Sequence, residues 1–192
     1  MKKRTAVIGA LVSLLPMGQP LVIGTGAVLT SAGVMLTITE KVNAESIEYY
    51  LGKLEEIYDK EGEEYRTIFY ANEILKTNPY SEDAYWYRAY AKVEIGKYYE
   101  GIADYTKSIK LGDNDSMTLN NRGFAKENIE DYYGAISDYD LAIAIDGRNS
   151  LAYSNRGYAK QSLGDMKGAC SDWRKASSLD NEDAAKWVKE DC

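Results

Sequence analysis

Arg88, Arg122 and Arg156 stand 34 residues apart, and each heads the same wording: Arg88-Ala89-Tyr90-Ala91-Lys92, Arg122-Gly123-Phe124-Ala125-Lys126, Arg156-Gly157-Tyr158-Ala159-Lys160. A row of guanidinium groups at a fixed interval could recognise acidic ligands, because the planar fork pairs with carboxylates through two hydrogen bonds. Asp104, Asp138 and Asp172 follow the three arginines at a constant offset. Buried charges are rarely left unpaired, so a repeated Arg–carboxylate pair inside the fold is the simpler account. Lys92, Lys126 and Lys160, one turn further on, read as solvated or paired. A second row is aromatic: Tyr90, Phe124 and Tyr158 recur at the same interval. With their neighbours they form a stripe, comprising Trp86, Tyr90 and Glu94, then Asn120, Phe124, Glu127 and Asn128, then Ser154, Tyr158, Gln161 and Ser162. Aromatic faces beside amides and hydroxyls suit an extended peptide, giving contact area and partners for its backbone. Aromatics at helical spacing equally well pack between repeats, and the sequence leaves both readings open.

Catalytic chemistry has no comparable support. The chain contains no histidine, so there is no imidazole to act as base or metal ligand. No glycine-rich phosphate loop or nucleophile elbow is present. Asp113-Asn114-Asp115 lacks the rest of a calcium-binding loop. The expectation is a protein that is not an enzyme and uses no cofactor and no metal.

The two cysteines, Cys170 and Cys192, carry the remaining chemistry. Cys170 takes the place of Ile102 and Ile136 in the sister segments, which suits a small buried hydrophobe. It precedes the turn near Asp180 by about ten residues, and Cys192 follows that turn by about twelve. At 1.5 Å per helical residue the two arms differ by only about 3 Å. Both cysteines lie on inward stripes, Met166-Cys170-Trp173 and Ala184-Val188-Cys192. An exported protein can keep such a disulfide, and a Cys170–Cys192 bond is expected.

These residues need elements to hold them in register. A fixed period with small residues and aromatics at set offsets marks stacked helix–turn–helix units, which bury their apolar faces only against neighbours. In the middle unit Leu119, Gly123 and Ile129 fall on one helix, and Tyr132, Ala135, Ile136, Tyr139 and Ile143 on the next. Small Gly123 and Ala135 let the two axes approach. Full repeats are expected at 82–115, 116–149 and 150–183. A degenerate copy at 48–81 keeps Leu51, Leu54, Tyr58, Gly62 and Asn78-Pro79, as terminal units of solenoids often do. A capping helix is expected at 182–191, with Ala184, Trp187 and Val188 on one face.

The recurrence resembles the tetratricopeptide repeat family from about Ser46 to Cys192. The wording Asn-Arg-Gly-x-Ala-Lys followed by Ser-Asp-Tyr or Ser-Asp-Trp resembles short exported tetratricopeptide proteins of bacteria, cyanobacteria among them. The resemblance implies an all-α fold, a right-handed α-solenoid with a C-terminal capping helix, whose concave groove is lined by the first helix of each repeat. It implies a protein-interaction adaptor or assembly factor. Family members that grip the carboxylate of cytosolic chaperones use Lys, Asn and Arg on the groove wall. Here the matching places hold Trp86, Tyr90, Asn121, Leu151 and Asn155, and only Asn121 agrees.

The first 44 residues are of another kind. Lys2, Lys3 and Arg4 precede an uncharged run from Thr5 to Thr39, and Val42-Asn43-Ala44 offers small residues just before Glu45. A basic start, apolar middle and small-residue exit describe a secretory signal, although an ordinary apolar core is about 7–15 residues. Leu21–Thr39, following Pro16 and Pro20, approaches the roughly 20 residues that span a bilayer. A removable signal with the mature chain starting at Glu45 and an uncleaved membrane anchor both remain open. Either exports the repeats. Four of the 23 basic residues and one of the 30 acidic ones precede Glu45, leaving 19 against 29 in the repeats. That balance argues against nucleic acid as a partner. The leading expectation is an exported adaptor that binds a protein or peptide in its groove. The alternative is a membrane-anchored structural component that self-associates, with Gly26 and Gly33 packing transmembrane helices into a homo-oligomer.

Overall fold

Turn chemistry sets the helix boundaries. One residue per turn takes positive φ at Gly62, Gly96, Glu130 and Gly164 (84°, 77°, 62° and 84°), at the 34-residue interval. Glycine adopts this conformation without the clash between Cβ and carbonyl oxygen that Glu130 must accept. The degenerate first copy therefore keeps the turn although it has lost the small core residues. Helix starts are capped as well. Ser81, Asn149 and Asn181 accept hydrogen bonds from the amides of Ala84 (3.2 Å), Ala152 (2.9 Å) and Ala184 (2.8 Å). Asp131 and Asp165 do the same for Gly134 (3.0 Å) and Gly168 (2.9 Å). Each such bond satisfies an amide that has no partner within the helix.

The computed structural model describes the backbone of residues 21–23, 27–29 and 31–192, and the side chains from residue 44 onward. Among the described residues there are nine helices: α1 (Ser31–Ile57), α2 (Glu64–Thr77), α3 (Glu82–Glu94), α4 (Tyr98–Leu111), α5 (Ser116–Glu127), α6 (Tyr132–Ile145), α7 (Ser150–Ser162), α8 (Met166–Ser177) and α9 (Glu182–Asp191). Two compact units divide the chain, 1–48 and Tyr49–Cys192. In the second unit every helix from α2 to α9 packs on its neighbours in sequence, and the first helices α3, α5 and α7 also touch one another. This is an α-solenoid of helical hairpins.

The close approach within each hairpin has a specific cause. A Cβ added at Gly123 would lie 2.7 Å from the ring of Tyr139, and one at Gly157 would lie 2.5 Å from the indole of Trp173. Ala89 occupies the same place opposite Tyr105. Tyr105, Tyr139 and Trp173 are fully enclosed, and each is sealed by an alanine of the next element: Ala125, Ala159 and Ala184. The last of these belongs to α9, which lays Ala184, Trp187 and Val188 over the final repeat, with Trp187 5.4 Å from Trp173. Removing one such ring from water is worth on the order of 4–5 kcal/mol as an upper bound. Cys170 and Cys192 form a disulfide with their Cα atoms 5.7 Å apart, tying α8 to the end of α9.

The N-terminal unit contains strands as well as helix. Residues 1–20, including Lys2, Lys3 and Arg4, lie outside the described residues. Leu21–Ile23 and Ala27–Leu29 form antiparallel strands β1 and β2, with Leu21 opposite Leu29. Val22, Ile23 and Val28 are of the β-branched type enriched in strands. Leu21–Thr39 is thus divided between these strands and the start of α1, and the expected cleavage point before Glu45 falls inside α1. Among the described residues no helix is long and apolar enough to cross a membrane.

Candidate functional site

The first helices are held by a network that repeats once per hairpin. Arg88 donates from Nε and Nη2 to the two oxygens of Asp104 (2.8 and 2.7 Å), and Lys92 donates to the same carboxylate (2.8 Å). Arg122 grips Asp138 in the same way (2.9 and 2.6 Å), joined by Lys126 at 2.8 Å. Arg156 grips Asp172 (2.9 and 2.6 Å), joined by Lys160 at 2.7 Å. The third arm of each fork, Nη1, reaches back to the preceding repeat: to Asn72 (2.7 Å), Thr106 (3.2 Å) and Asp140 (2.6 Å). Those acceptors are themselves 34 residues apart. Arg88 and Arg156 also lie over the rings of Tyr85 and Tyr153, at 5.2 and 5.4 Å. The three carboxylates are 2–6% exposed, and their donors meet them in the bidentate geometry that offsets desolvation. Paired to Asp172 and Asp140, the Arg156 guanidinium holds its proton even more firmly than usual, despite its burial. The arginines are occupied inside the stack and present no basic ladder.

The stripe expected to face a partner separates into three kinds of residue. Phe124 and Tyr158 are 41% and 46% exposed on consecutive first helices. Asn128 is exposed one turn beyond Phe124, Gln161 is half-buried, and Glu94 is exposed at the end of α3, where it lines a cleft with Tyr58 and Tyr90. Asn128 donates to the Phe124 carbonyl (2.9 Å), which steadies the end of α5. Asn120 and Ser154 correct the expected partner face. Each is 4% exposed, because α5 and α7 press together there. Asn120 accepts from Asn155 (3.1 Å) across that contact, and the Ser154 carbonyl accepts from the Trp173 indole (3.2 Å). Neither side chain lies open to a partner.

Tyr90 and Trp86 form the third kind. Their rings stack at 5.7 Å with an interplanar angle of 13°, and Tyr58 and Tyr87 meet them edge-on at 5.2–5.7 Å. Tyr90 therefore belongs to a half-buried cluster of four rings, not to an even row with Phe124 and Tyr158. Burial pushes the Tyr90 phenol up, and pushes that of Tyr87 to about 12 with help from Glu55 and Asp83. Clefts of about 240 and 140 Å³ flank the cluster.

Glu127 is the perturbed carboxylate of the stripe. Burial drives it from 4.5 to about 7, against the opposing pull of a hydrogen bond from the Tyr139 hydroxyl (3.2 Å). The sequence carried little sign of this, since Tyr139 reads only as the aromatic that recurs at a fixed offset in each repeat. Among the described residues no cluster of Cys, Asp and Glu side chains is placed to hold a metal ion.

No protein-family model and no curated protein matches the chain by sequence. Solved structures do match it in three dimensions. The first tetratricopeptide domain of Spaghetti (RPAP3), bound to the HSP90 peptide SRMEEVD, superposes with a TM-score of 0.54 at 26% identity, over 57% of this chain and 88% of that one. The Arabidopsis OM64 tetratricopeptide domain gives 0.55 at 27% identity, over 57% and 92%. MamA from Desulfovibrio magneticus RS-1 gives 0.68 at 17% identity, over 74% and 81%. The chain has the tetratricopeptide fold. In that frame α3, α5 and α7 are the first helices of the three full repeats; Phe124 and Tyr158 lie on α5 and α7, and Trp86, Tyr87 and Tyr90 on α3.

Proposed function

We propose that this tetratricopeptide chain is a non-enzymatic adaptor that binds an extended segment of a protein partner along the face formed by α3, α5 and α7. The observation that carries the reading is the pair Phe124 and Tyr158. They are large rings left exposed at the same place on consecutive repeats, while the equivalent positions one residue to either side are buried or paired. Rings of this kind supply contact area, and Asn128 and Gln161 supply polar contacts beside them. The solved RPAP3 domain with a bound HSP90 peptide supports peptide binding as a use of this fold. The acidic chaperone terminus is not the expected ligand here. Leu151 stands at one of the clamp positions, and at another Asn155 is engaged with Asn120. Affinity capture with the full chain tests the reading, comparing it with a Phe124→Ser/Tyr158→Ser variant. Loss of the captured partner with unchanged helix content supports the groove; equal capture refutes it.

The same reading places the repeats outside the cytoplasm. Its support is the basic start and the long uncharged run before Glu40, together with a cysteine pair in bonding geometry of the kind that persists in oxidising compartments. Intact mass of the native protein distinguishes a chain beginning at Glu45 from one that retains residues 1–44.

A further inference from the structure

The cleft beside the four-ring cluster has a chemistry of its own. It is lined by Asp83, Trp86, Tyr87, Asp113, Asp115 and Thr118 and encloses about 240 Å³. Among the described residues no Lys or Arg pairs with any of its three aspartates, whereas the buried aspartates of the stack each hold two cations. Asp113 has internal work: it accepts from Ser108 (2.9 Å), Thr118 (2.7 Å) and the amide of Asp115 (3.1 Å). Asp83 and Asp115 are exposed, and among the described residues no side-chain hydrogen bond occupies them. The local field is negative and uncompensated: burial and the charges of Glu82, Asp113 and Glu55 together push the Asp83 carboxyl up. Trp86 and Tyr87 form the remaining wall, their rings 5.2 Å apart and perpendicular.

Carboxylates beside the faces of Trp and Tyr are the surroundings that attract an ammonium or guanidinium group, through charge and through the ring quadrupole. An acidic side chain would meet repulsion on three sides. A neutral apolar one would leave Asp83 and Asp115 partly desolvated without a partner. The smaller cleft on the far side of the rings is also walled by carboxylates, Asp59, Glu61, Glu64 and Glu94, but it already contains Lys60. The larger cleft is the one with unanswered charge.

Resting on the groove reading above, we propose that this cleft seats a Lys or Arg side chain of the bound partner segment, with its aliphatic stem on Trp86 and its charge between Asp83 and Asp115. The partner class is thus a protein segment carrying a basic residue at the end that meets the first full repeat, with apolar residues running toward Phe124 and Tyr158.

The test is to pan the full chain against a random 12-residue peptide library displayed on phage, then measure affinities of enriched synthetic peptides by fluorescence polarisation. Enriched sequences should carry Lys or Arg together with apolar residues, and should bind more weakly as salt rises. Asp83→Asn/Asp115→Asn should weaken them about tenfold, and Trp86→Ala should weaken them with helix content preserved. Replacing the peptide's basic residue by Gln should cost the wild type the same factor and cost the double Asn variant nothing. Neutral or acidic peptides whose binding depends on Phe124 and Tyr158 would overturn the cationic subsite and leave the groove standing. Absence of any enriched peptide would overturn both.

Discussion

Replacing Glu127 by glutamine removes a charge that the fold resists. Glu127 is the last residue of α5, where burial raises its carboxyl from 4.5 to about 7 although the Tyr139 hydroxyl donates to it at 3.2 Å. Between pH 4.5 and 7 the folded chain therefore holds a proton that the unfolded chain has released. Stability linked to this group is full below pH 4.5 and is lost as pH rises through about 7. A displacement of that size is worth about 3 kcal/mol at 1.36 kcal/mol per pH unit, and the part of the side chain that faces solvent screens it to roughly 1–2 kcal/mol. Glutamine keeps an acceptor for Tyr139 and has no charge to desolvate. Urea unfolding followed by circular dichroism should show Glu127→Gln and wild type equal near pH 4. At pH 8.5 the variant should be more stable by about 1–2 kcal/mol. An offset independent of pH, or a Glu127 carboxyl that titrates near 4.5 by carbon NMR, would refute the reasoning.

Other substitutions probe the scaffold. Asp138→Asn leaves Arg122 and Lys126 facing a neutral amide in a site where the carboxylate was 2% exposed, and should cost about 3–5 kcal/mol in denaturant unfolding; a cost below about 1 kcal/mol would show that water replaces the pair. Glu130→Gly relieves the one positive-φ turn of the series that lacks glycine and should stabilise the chain by about 1 kcal/mol; a loss of stability would show that the Glu130 side chain contributes more than its backbone strain. Cys192→Ser should cost about 3 kcal/mol in the chain-entropy model, with faster amide exchange concentrated in α9. Alkylation of the unreduced, denatured native protein should label neither cysteine, and two labelled thiols would overturn the bond.

The repeat was legible because its physical causes are local and periodic. Glycine at 62, 96 and 164 marks left-handed turns, and the small residues at 89, 123 and 157 mark where a ring must pass. The pairing of Arg with the Asp sixteen residues later could be read from offset alone. Its third arm, reaching sixteen residues back to Asn72, Thr106 and Asp140, could not, since those three acceptors differ in chemistry. The stripe was only partly legible. Helical phase places Asn120 and Ser154 with Phe124 and Tyr158, but phase does not reveal how tightly α5 and α7 press together, and that contact closes over the two smaller side chains. Tyr90 left the row because it stacks on Trp86 and Tyr58, from the degenerate repeat, meets it edge-on. A weak copy gave no warning of that contact. The strands at Leu21–Ile23 and Ala27–Leu29 were hidden inside Leu21–Thr39, an uncharged run of nearly the length that spans a bilayer and without strand alternation.

The central claim is that the exposed rings of α5 and α7 bind a partner, and capture from the native compartment tests it most directly. Full-length wild type and Phe124→Ser/Tyr158→Ser should be used as bait in parallel, with circular dichroism confirming equal helix content. One defined protein should be retained by the wild type and absent from the variant. The same protein retained equally by both would contradict it.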